Sequence, residues 1–148
     1  MTLNEAKMEL KSYLDMECSK HELQEWIDSK KYDSNKLTSS FSSEPKGSPK
    51  CQDQMAEKLA KALDTESKIK FQIEEMNQKQ AKIFDKIMSL EKPYQTALFS
   101  LYIQGKTIEQ VGNVLNYSRS QTIRIINRAV EMYAEIVTTT KTIFCTQT

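Results

Sequence analysis

Apolar residues recur most regularly between residues 52 and 91, where they alternate at intervals of four and three positions. That spacing places them on one stripe of an α-helix, as at the a and d positions of a coiled coil. Glu66 and Gln80 interrupt the stripe, and polar residues there lower stability but fix register and partner number. We therefore predict a long heptad helix over 52–91, serving as a hairpin or oligomerisation arm. Its apolar seam comprises Met55, Leu59, Ala62, Ile69, Ile73, Met76, Ile83, Ile87 and Leu90.

Residues 1–32 carry a weaker helical pattern and form a predicted N-terminal helical segment. Its stripe slips near Cys18, and Ser19-Lys-His-Glu22 matches a capping box, so one continuous helix and two consecutive helices are both compatible with the pattern. Residues 33–51 are rich in Ser, Lys, Asn and Pro, which predicts a flexible linker. The sequence leaves two ways to bury the heptad seam. Either the N-terminal helix folds back on it, or the heptad helix of a second protomer packs against it.

Residues 92–136 predict three helices in succession. Pro93 begins the first, which runs to about Ile103, and Gly105 suits a left-handed cap. Capping-box matches at Thr107–Gln110 and at Ser118–Gln121 then begin helices that run to Leu115 and to about Ile136. Asn116-Tyr117 forms the turn between them. The tail, 137–148, is Thr-rich and is expected to fray or to add a strand at an interface.

All three arginines of the chain, Arg119, Arg124 and Arg128, lie on the last predicted helix. Helical spacing gives that helix an unbroken inward face of Thr122, Ile125, Ile126, Ala129, Val130 and Tyr133. The remaining side chains are mostly of the types that bind base edges and phosphates. We predict DNA binding by this helix through Ser118, Arg119, Ser120, Gln121, Ile123, Arg124, Asn127 and Arg128.

We make a separate prediction for each of three residues in this segment. Ile123 would pack either on a thymine methyl group or on the preceding helix. Arg128 lies further along the helix and is expected to contact a phosphate. Gly112 lies where the two helices would cross closely, since a side chain there could force them apart.

Composition agrees with an all-α chain, since Gly and Pro number three each. Residues 1–91 carry fifteen Lys and seventeen Asp or Glu, whereas residues 92–148 carry six Lys or Arg and three Glu. A basic C-terminal end on a neutral body fits a DNA-binding module with a separate arm. Three scattered cysteines, one histidine and no phosphate loop predict no metal, no cofactor, no small-molecule substrate and no enzyme activity. Because nothing resembles a signal peptide or a membrane span, we expect a soluble intracellular protein.

Tyr117-Ser118-Arg119, Ile125 and Arg128-Ala129-Val130 resemble region 4 of bacterial sigma factors and their phage relatives, and residues 90–105 resemble the helix preceding it. The wider layout is similar to the ArpU/RinA-like late-gene regulators of phages and prophages of Gram-positive bacteria. This resemblance implies a helix-turn-helix of sigma region 4 type in a transcriptional regulator of the bacterial cytoplasm. Unlike sigma factors, the chain has Ser120 and Gln121 where charged residues are usual, and it has no segment for melting DNA.

Three functions are therefore weighed. The leading hypothesis is a DNA-binding regulator that forms a homo-oligomer, with a dimer favoured, reading paired half-sites. The second is an interaction module that binds RNA polymerase or a host regulator. The third is a small DNA-packaging component, for which ring-sized oligomers are expected.

Overall fold

The computed structural model describes the backbone of residues 1–39 and 49–145 and the side chains of residues 1–33, 54 and 56–139. These described residues are all-helical and contain no strand. They form α1 (Leu3–Ser39), α2 (Pro49–Met88), α3 (Tyr94–Leu98), α4 (Ile108–Leu115) and α5 (Arg119–Cys145), and a π-helical segment, Phe99–Ile103, follows α3. The chain divides into two compact units, one of Met1–Glu17 with Gln78–Thr148 and one of Cys18–Asn77.

Two helices, α1 and α5, are longer than the sequence predicts, and α2 has the predicted length but begins and ends three residues earlier, so that Leu90 lies just beyond it. α1 passes through Ser19–Glu22 without a break, so the capping-box match there lies inside a single helix. α1 also extends to Ser39 and α2 begins at Pro49, so both enter the segment 33–51 that was predicted as linker. α5 reaches Cys145, well into the tail that was expected to fray. Once a helix is nucleated, each further residue adds a hydrogen bond, which favours such extension even through polar sequence.

The core of the first unit lies where α1, α2 and α5 meet. Gln80 is buried, and its Nε2 donates 2.9 Å hydrogen bonds to the Tyr13 carbonyl and to Glu17 Oε2 on α1. The C-terminal part of the heptad seam is therefore covered by the N-terminal helix of the same chain, running antiparallel to it. The buried apolar residues of this core include Ala6, Leu10, Ile83, Ile87, Leu90, Leu98, Ala129, Val130 and Tyr133.

A partly buried ion pair joins α1 to α2 and lies beside the Tyr133 ring of α5. Lys86 Nζ donates to Glu9 Oε1 at 2.7 Å and lies 5.5 Å from the centre of the Tyr133 ring. Burial, together with the nearby Glu9 carboxylate, raises the pKa of Tyr133 above its ordinary value. Among the described residues, neither the Tyr133 hydroxyl nor Glu9 Oε2 has a hydrogen-bond partner.

In the second unit, α1 and α2 also pair antiparallel. Lys20 Nζ donates to Asn77 Oδ1 at 3.0 Å, and Lys31 Nζ lies 3.8 Å from Glu66 Oε1. The seam residues are covered unequally here. Ile69, Ile73 and Met76 are half-buried, Ala62 is exposed, Leu59 is 56% exposed, and Met55 lies outside the residues whose side chains are described. Within a single chain, α1 therefore does not cover the predicted seam at Leu59 and Ala62.

Candidate nucleic-acid interface

The segment from Thr107 to the middle of α5 is held by local capping contacts. The Gln110 amide donates to Thr107 Oγ1 at 3.3 Å, and the Thr107 amide donates to Gln110 Oε1 at 3.0 Å. This reciprocal pair satisfies two backbone donors that would otherwise lack partners at the start of α4. The capping box predicted at Thr107 is confirmed.

A tight turn separates α4 from α5. Asn116 ends α4 in the left-handed region, with φ of 57°, a conformation that asparagine tolerates better than most residues. The Tyr117 amide then donates back to the Gly112 carbonyl at 3.0 Å. On the far side, the Gln121 amide donates to Ser118 Oγ, and the Ser118 amide donates to Gln121 Oε1, both at 3.4 Å. The predicted turn and second capping box are thus present, although the latter bonds are long.

Gly112 lets α4 approach the start of α5 closely. A Cβ at this position would lie 2.9 Å from Thr122 Oγ1 and 3.1 Å from the Tyr117 carbonyl oxygen. Real Cβ atoms are essentially never found as close as the first of these distances. The expectation that Gly112 permits a close crossing is confirmed.

The two faces of α5 differ sharply in exposure. Thr122, Ala129, Val130 and Tyr133 are fully buried, Ile126 is nearly so, and Ile125 is half-buried. Ala97, Val111 and Ile126 form a small core that packs α5 against α3 and α4. The predicted inward face of this helix is therefore confirmed.

The opposite face of α5 is polar and open to solvent. Ile123 is 38% exposed, so it is not buried against α4. It therefore remains at the surface among polar neighbours. The exposed polar residues of this face and its cap are Ser118, Arg119, Ser120, Gln121, Arg124, Asn127 and Arg128.

The three arginines have different surroundings. Arg119 Nη1 lies 3.4 Å from Glu109 Oε1 on α4, and Arg128 Nη1 donates to Glu131 Oε2 at 2.9 Å. The hydrogen bond to the Glu131 carboxylate raises the pKa of Arg128 above its ordinary value. Within the described part of the chain, Arg124 has no ion pair or hydrogen bond through its guanidinium. Its five donors are therefore open to an external acceptor.

Sequence reasoning placed these side chains on one face but missed their carboxylate partners. Glu131 follows Arg128 by three residues, a spacing that brings helical side chains together, so this pair was visible in the sequence. Glu109 and Arg119 lie on different helices, and their approach depends on the angle of the turn at Asn116. No local signal predicts that contact.

Among the described residues, no helix is long and apolar enough to cross a membrane, and no group of His, Cys, Asp or Glu could hold a metal ion. In comparisons with known proteins, no family model, no curated protein and no solved structure matches the chain.

Proposed function

We propose that this chain is a sequence-specific regulator of transcription that binds double-stranded DNA. In this proposal, α4, the turn at Asn116 and α5 act as a helix-turn-helix of sigma region 4 type, with the N-terminal half of α5 in the major groove. The observation that carries the proposal is the division of α5 into a buried apolar face and an exposed face bearing all three arginines. A helix that contacts bases needs both a rigid support and an accessible polar face.

Four of the exposed side chains have a type of DNA contact that their chemistry allows. Arg124 is our candidate for base contact, because an unpaired guanidinium can bind the O6 and N7 acceptors of guanine together. Asn127 can pair in a similar way with adenine. Arg128 and the backbone amides at the start of α5, near Ser118, suit phosphate oxygens. Arg119 would exchange its exposed partner Glu109 for a DNA acceptor at little cost, since exposed ion pairs contribute roughly 0–1 kcal/mol.

The resemblance to sigma region 4 and to ArpU/RinA-like regulators supports transcription as the process. From it we propose late or packaging genes of a phage or prophage as the target, and the bacterial cytoplasm as the place of action.

The test begins with the purified full chain and sheared host and prophage DNA, at about 150 mM salt to suppress purely electrostatic binding. We expect one strongly enriched site. Fluorescence anisotropy on that site then compares wild type with Arg124→Ala, whose affinity should fall by about 1–3 kcal/mol, roughly fivefold to 150-fold. Lys82→Ala is the matched control, because it removes one positive charge from an exposed position on α2.

Arg128→Ala provides a second comparison on the same DNA. As a phosphate contact, it should weaken specific and random DNA about equally and reduce the dependence on salt. Absence of any enriched site would refute the proposal, whereas equal affinities of wild type and Arg124→Ala for an enriched site would refute the role given to Arg124.

A second candidate function is binding to RNA polymerase. It is favoured by three exposed apolar side chains in the α4–α5 segment, Val114, Tyr117 and Ile123. Promoter binding that occurs only when polymerase is present, and that Tyr117→Ser abolishes while Arg124→Ala does not, would support this alternative.

A further inference from the structure

Arg119 and Glu109 form an ion pair between α5 and α4, in which Arg119 Nη1 lies 3.4 Å from Glu109 Oε1. The two side chains are 69% and 74% exposed, and exposed pairs of this kind contribute little to stability. Other contacts already fix α4 against α5, since the Tyr117 amide donates to the Gly112 carbonyl and Gly112 packs closely on Thr122. The two charged groups are therefore not needed to hold the helices together.

The segment that contains this pair carries no net charge. Residues 107–136 contain three arginines and three glutamates, and neither lysine nor aspartate. Affinity for DNA of any sequence comes mainly from basic side chains that neutralise phosphates, and a balanced segment supplies little of it. Binding by this segment must therefore depend on donors and acceptors that match those of particular bases.

Glu109 is placed differently from the carboxylates further along α5. It contacts Arg119, the first residue of α5, whose N-terminal half would lie in the major groove. Glu131 lies twelve residues beyond Arg119, about 18 Å along the helix at 1.5 Å per residue. A carboxylate near the groove is repelled by phosphates and by base acceptors. It is accommodated only where a base offers an amino group, as cytosine does at N4.

A G·C base pair matches both members of the ion pair at once. In the major groove it presents the O6 and N7 acceptors of guanine beside the N4 donor of cytosine. Arg119 uses Nη1 for Glu109 and keeps other guanidinium donors for guanine, because a guanidinium carries five. The Glu109 carboxylate likewise keeps acceptor sites for cytosine. Arg119 and Glu109 can therefore stay in contact with each other while each contacts its base.

The other base pairs do not match this arrangement. If adenine takes the place of guanine, its N6 donor faces the arginine and thymine O4 faces the carboxylate. A reversed pair places the cytosine donor at the arginine and guanine O6 at the carboxylate. In both cases donors meet donors and acceptors meet acceptors, which is an effective way to reject a wrong sequence.

We propose that Arg119 and Glu109 together read one G·C base pair in the major groove, with Arg119 donating to guanine and Glu109 accepting from cytosine N4. This role rests on the proposed function. It adds a specificity-determining residue on α4, outside the DNA-contacting residues assigned to α5 and its cap. On DNA without that base pair, Arg119 exchanges Glu109 for another acceptor and leaves the carboxylate without a donor.

The first experiment selects binding sites for the full chain from a pool of random duplexes at about 150 mM salt. We expect wild type to select a site with a G·C pair at one position, or at one position of each half-site, that Glu109→Ala and Arg119→Ala both relax. Preferences at the other positions should remain. Glu131→Ala is the matched control, because it also removes a carboxylate paired with an arginine and should leave every base preference unchanged.

The second experiment measures the discrimination by fluorescence anisotropy, on the selected site and on duplexes with the other base pairs at that position. Wild type should favour G·C by about fivefold to 150-fold. Glu109→Ala should lower this ratio by about fivefold or more, since the wrong pairs no longer face a carboxylate. The double variant with Arg119→Ala should lose less than the product of the two single losses, because the two side chains act as a unit.

Circular dichroism of every variant should show unchanged helix content, because the substituted side chains are exposed. A Glu109→Ala protein with the base preferences of wild type would overturn the role of the ion pair and leave the proposed function standing. So would relaxation at an A·T position, or a change spread equally over all positions. A wild type that selects no sequence from the pool would overturn both.

Discussion

Replacing Gly112 with alanine tests whether the close crossing of α4 and α5 is held by packing. The new Cβ would meet Thr122 Oγ1 at 2.9 Å and the Tyr117 carbonyl oxygen at 3.1 Å. Thr122 cannot move away cheaply. It is fully buried, and its Oγ1 donates a 2.9 Å hydrogen bond to the Ser118 carbonyl oxygen.

The expected change in the free energy of unfolding follows from two destabilising contributions and one stabilising contribution. Adding a methyl group to a tightly packed site costs about 1–3 kcal/mol. Displacing the Thr122 hydroxyl weakens a hydrogen bond worth about 0.5–1.5 kcal/mol. Alanine is a better helix former than glycine by about 1 kcal/mol, which offsets part of the loss. We therefore expect Gly112→Ala to lower the free energy of unfolding by about 1–3 kcal/mol.

The assay is urea unfolding followed by circular dichroism, together with hydrogen exchange of α4 and α5 amides to localise the effect. Thr122→Ala serves as the second background, because it removes the nearer of the two contacting atoms. In that background, Gly112→Ala should cost about 1 kcal/mol less, which appears as coupling in a double-mutant cycle. Asn113→Ala, at an exposed position on the same helix, should change stability by less than about 0.5 kcal/mol. A Gly112→Ala protein as stable as wild type, or strictly additive costs, would refute this reasoning.

Three further predictions concern other parts of the fold. Gly105→Ala should cost about 1 kcal/mol in urea unfolding, because φ is +66° while the new Cβ would make only an ordinary 3.7 Å contact; Gly105→Asn should cost less. Tyr133→Phe should change the free energy of unfolding by less than about 0.5 kcal/mol, since the lost hydroxyl is buried without a partner. Glu9→Gln should cost about 1–3 kcal/mol, because it leaves Lys86 unpaired. A larger loss for Tyr133→Phe than for Glu9→Gln would contradict the contacts described above. The hydrogen bond from Lys70 holds the pKa of Glu66 below its ordinary value of 4.5, so the stability that this carboxylate contributes is present above pH 4.5 and is lost as the pH falls through the lowered pKa. Glu66→Gln should therefore reduce the loss of stability of the protein at acid pH, measured by urea unfolding. An unchanged loss at acid pH would show that the pair contributes nothing.

Local and periodic features of the sequence predicted much of the candidate interface. The capping box at Thr107, the left-handed residue Gly105 and the inward stripe ending at Tyr133 all depend on residues within a few turns of one another. Such features follow from helix geometry and from hydrogen bonds between near neighbours. For the same reason, the seam from Gln80 to Ile87 was located correctly, since its 4-3 spacing places these residues on one stripe of α2; Leu90 is also buried, although it lies beyond the end of that helix.

The errors at helix boundaries have a different cause. A Ser-rich, Pro-containing stretch predicted a linker beginning at residue 33, yet α1 continues to Ser39. Composition measures average preference, whereas helix extension depends on the turns already formed. At Ser19–Glu22 the sequence left one helix and two helices open, and the structure has one, because a capping box begins a helix only where the preceding residues are not helical.

By itself, therefore, the sequence determined that the described chain is helical, where its apolar stripes lie, and that all three arginines share the exposed side of one helix. Those properties depend on helical period and side-chain chemistry, both of which are local. Tertiary structure decided which residues cover which stripe. It placed α1 over Gln80 but left Leu59 exposed, brought Glu109 to Arg119, and gave Gly112 its role against Thr122. These outcomes depend on distances between residues far apart in sequence, and only the folded packing sets those distances.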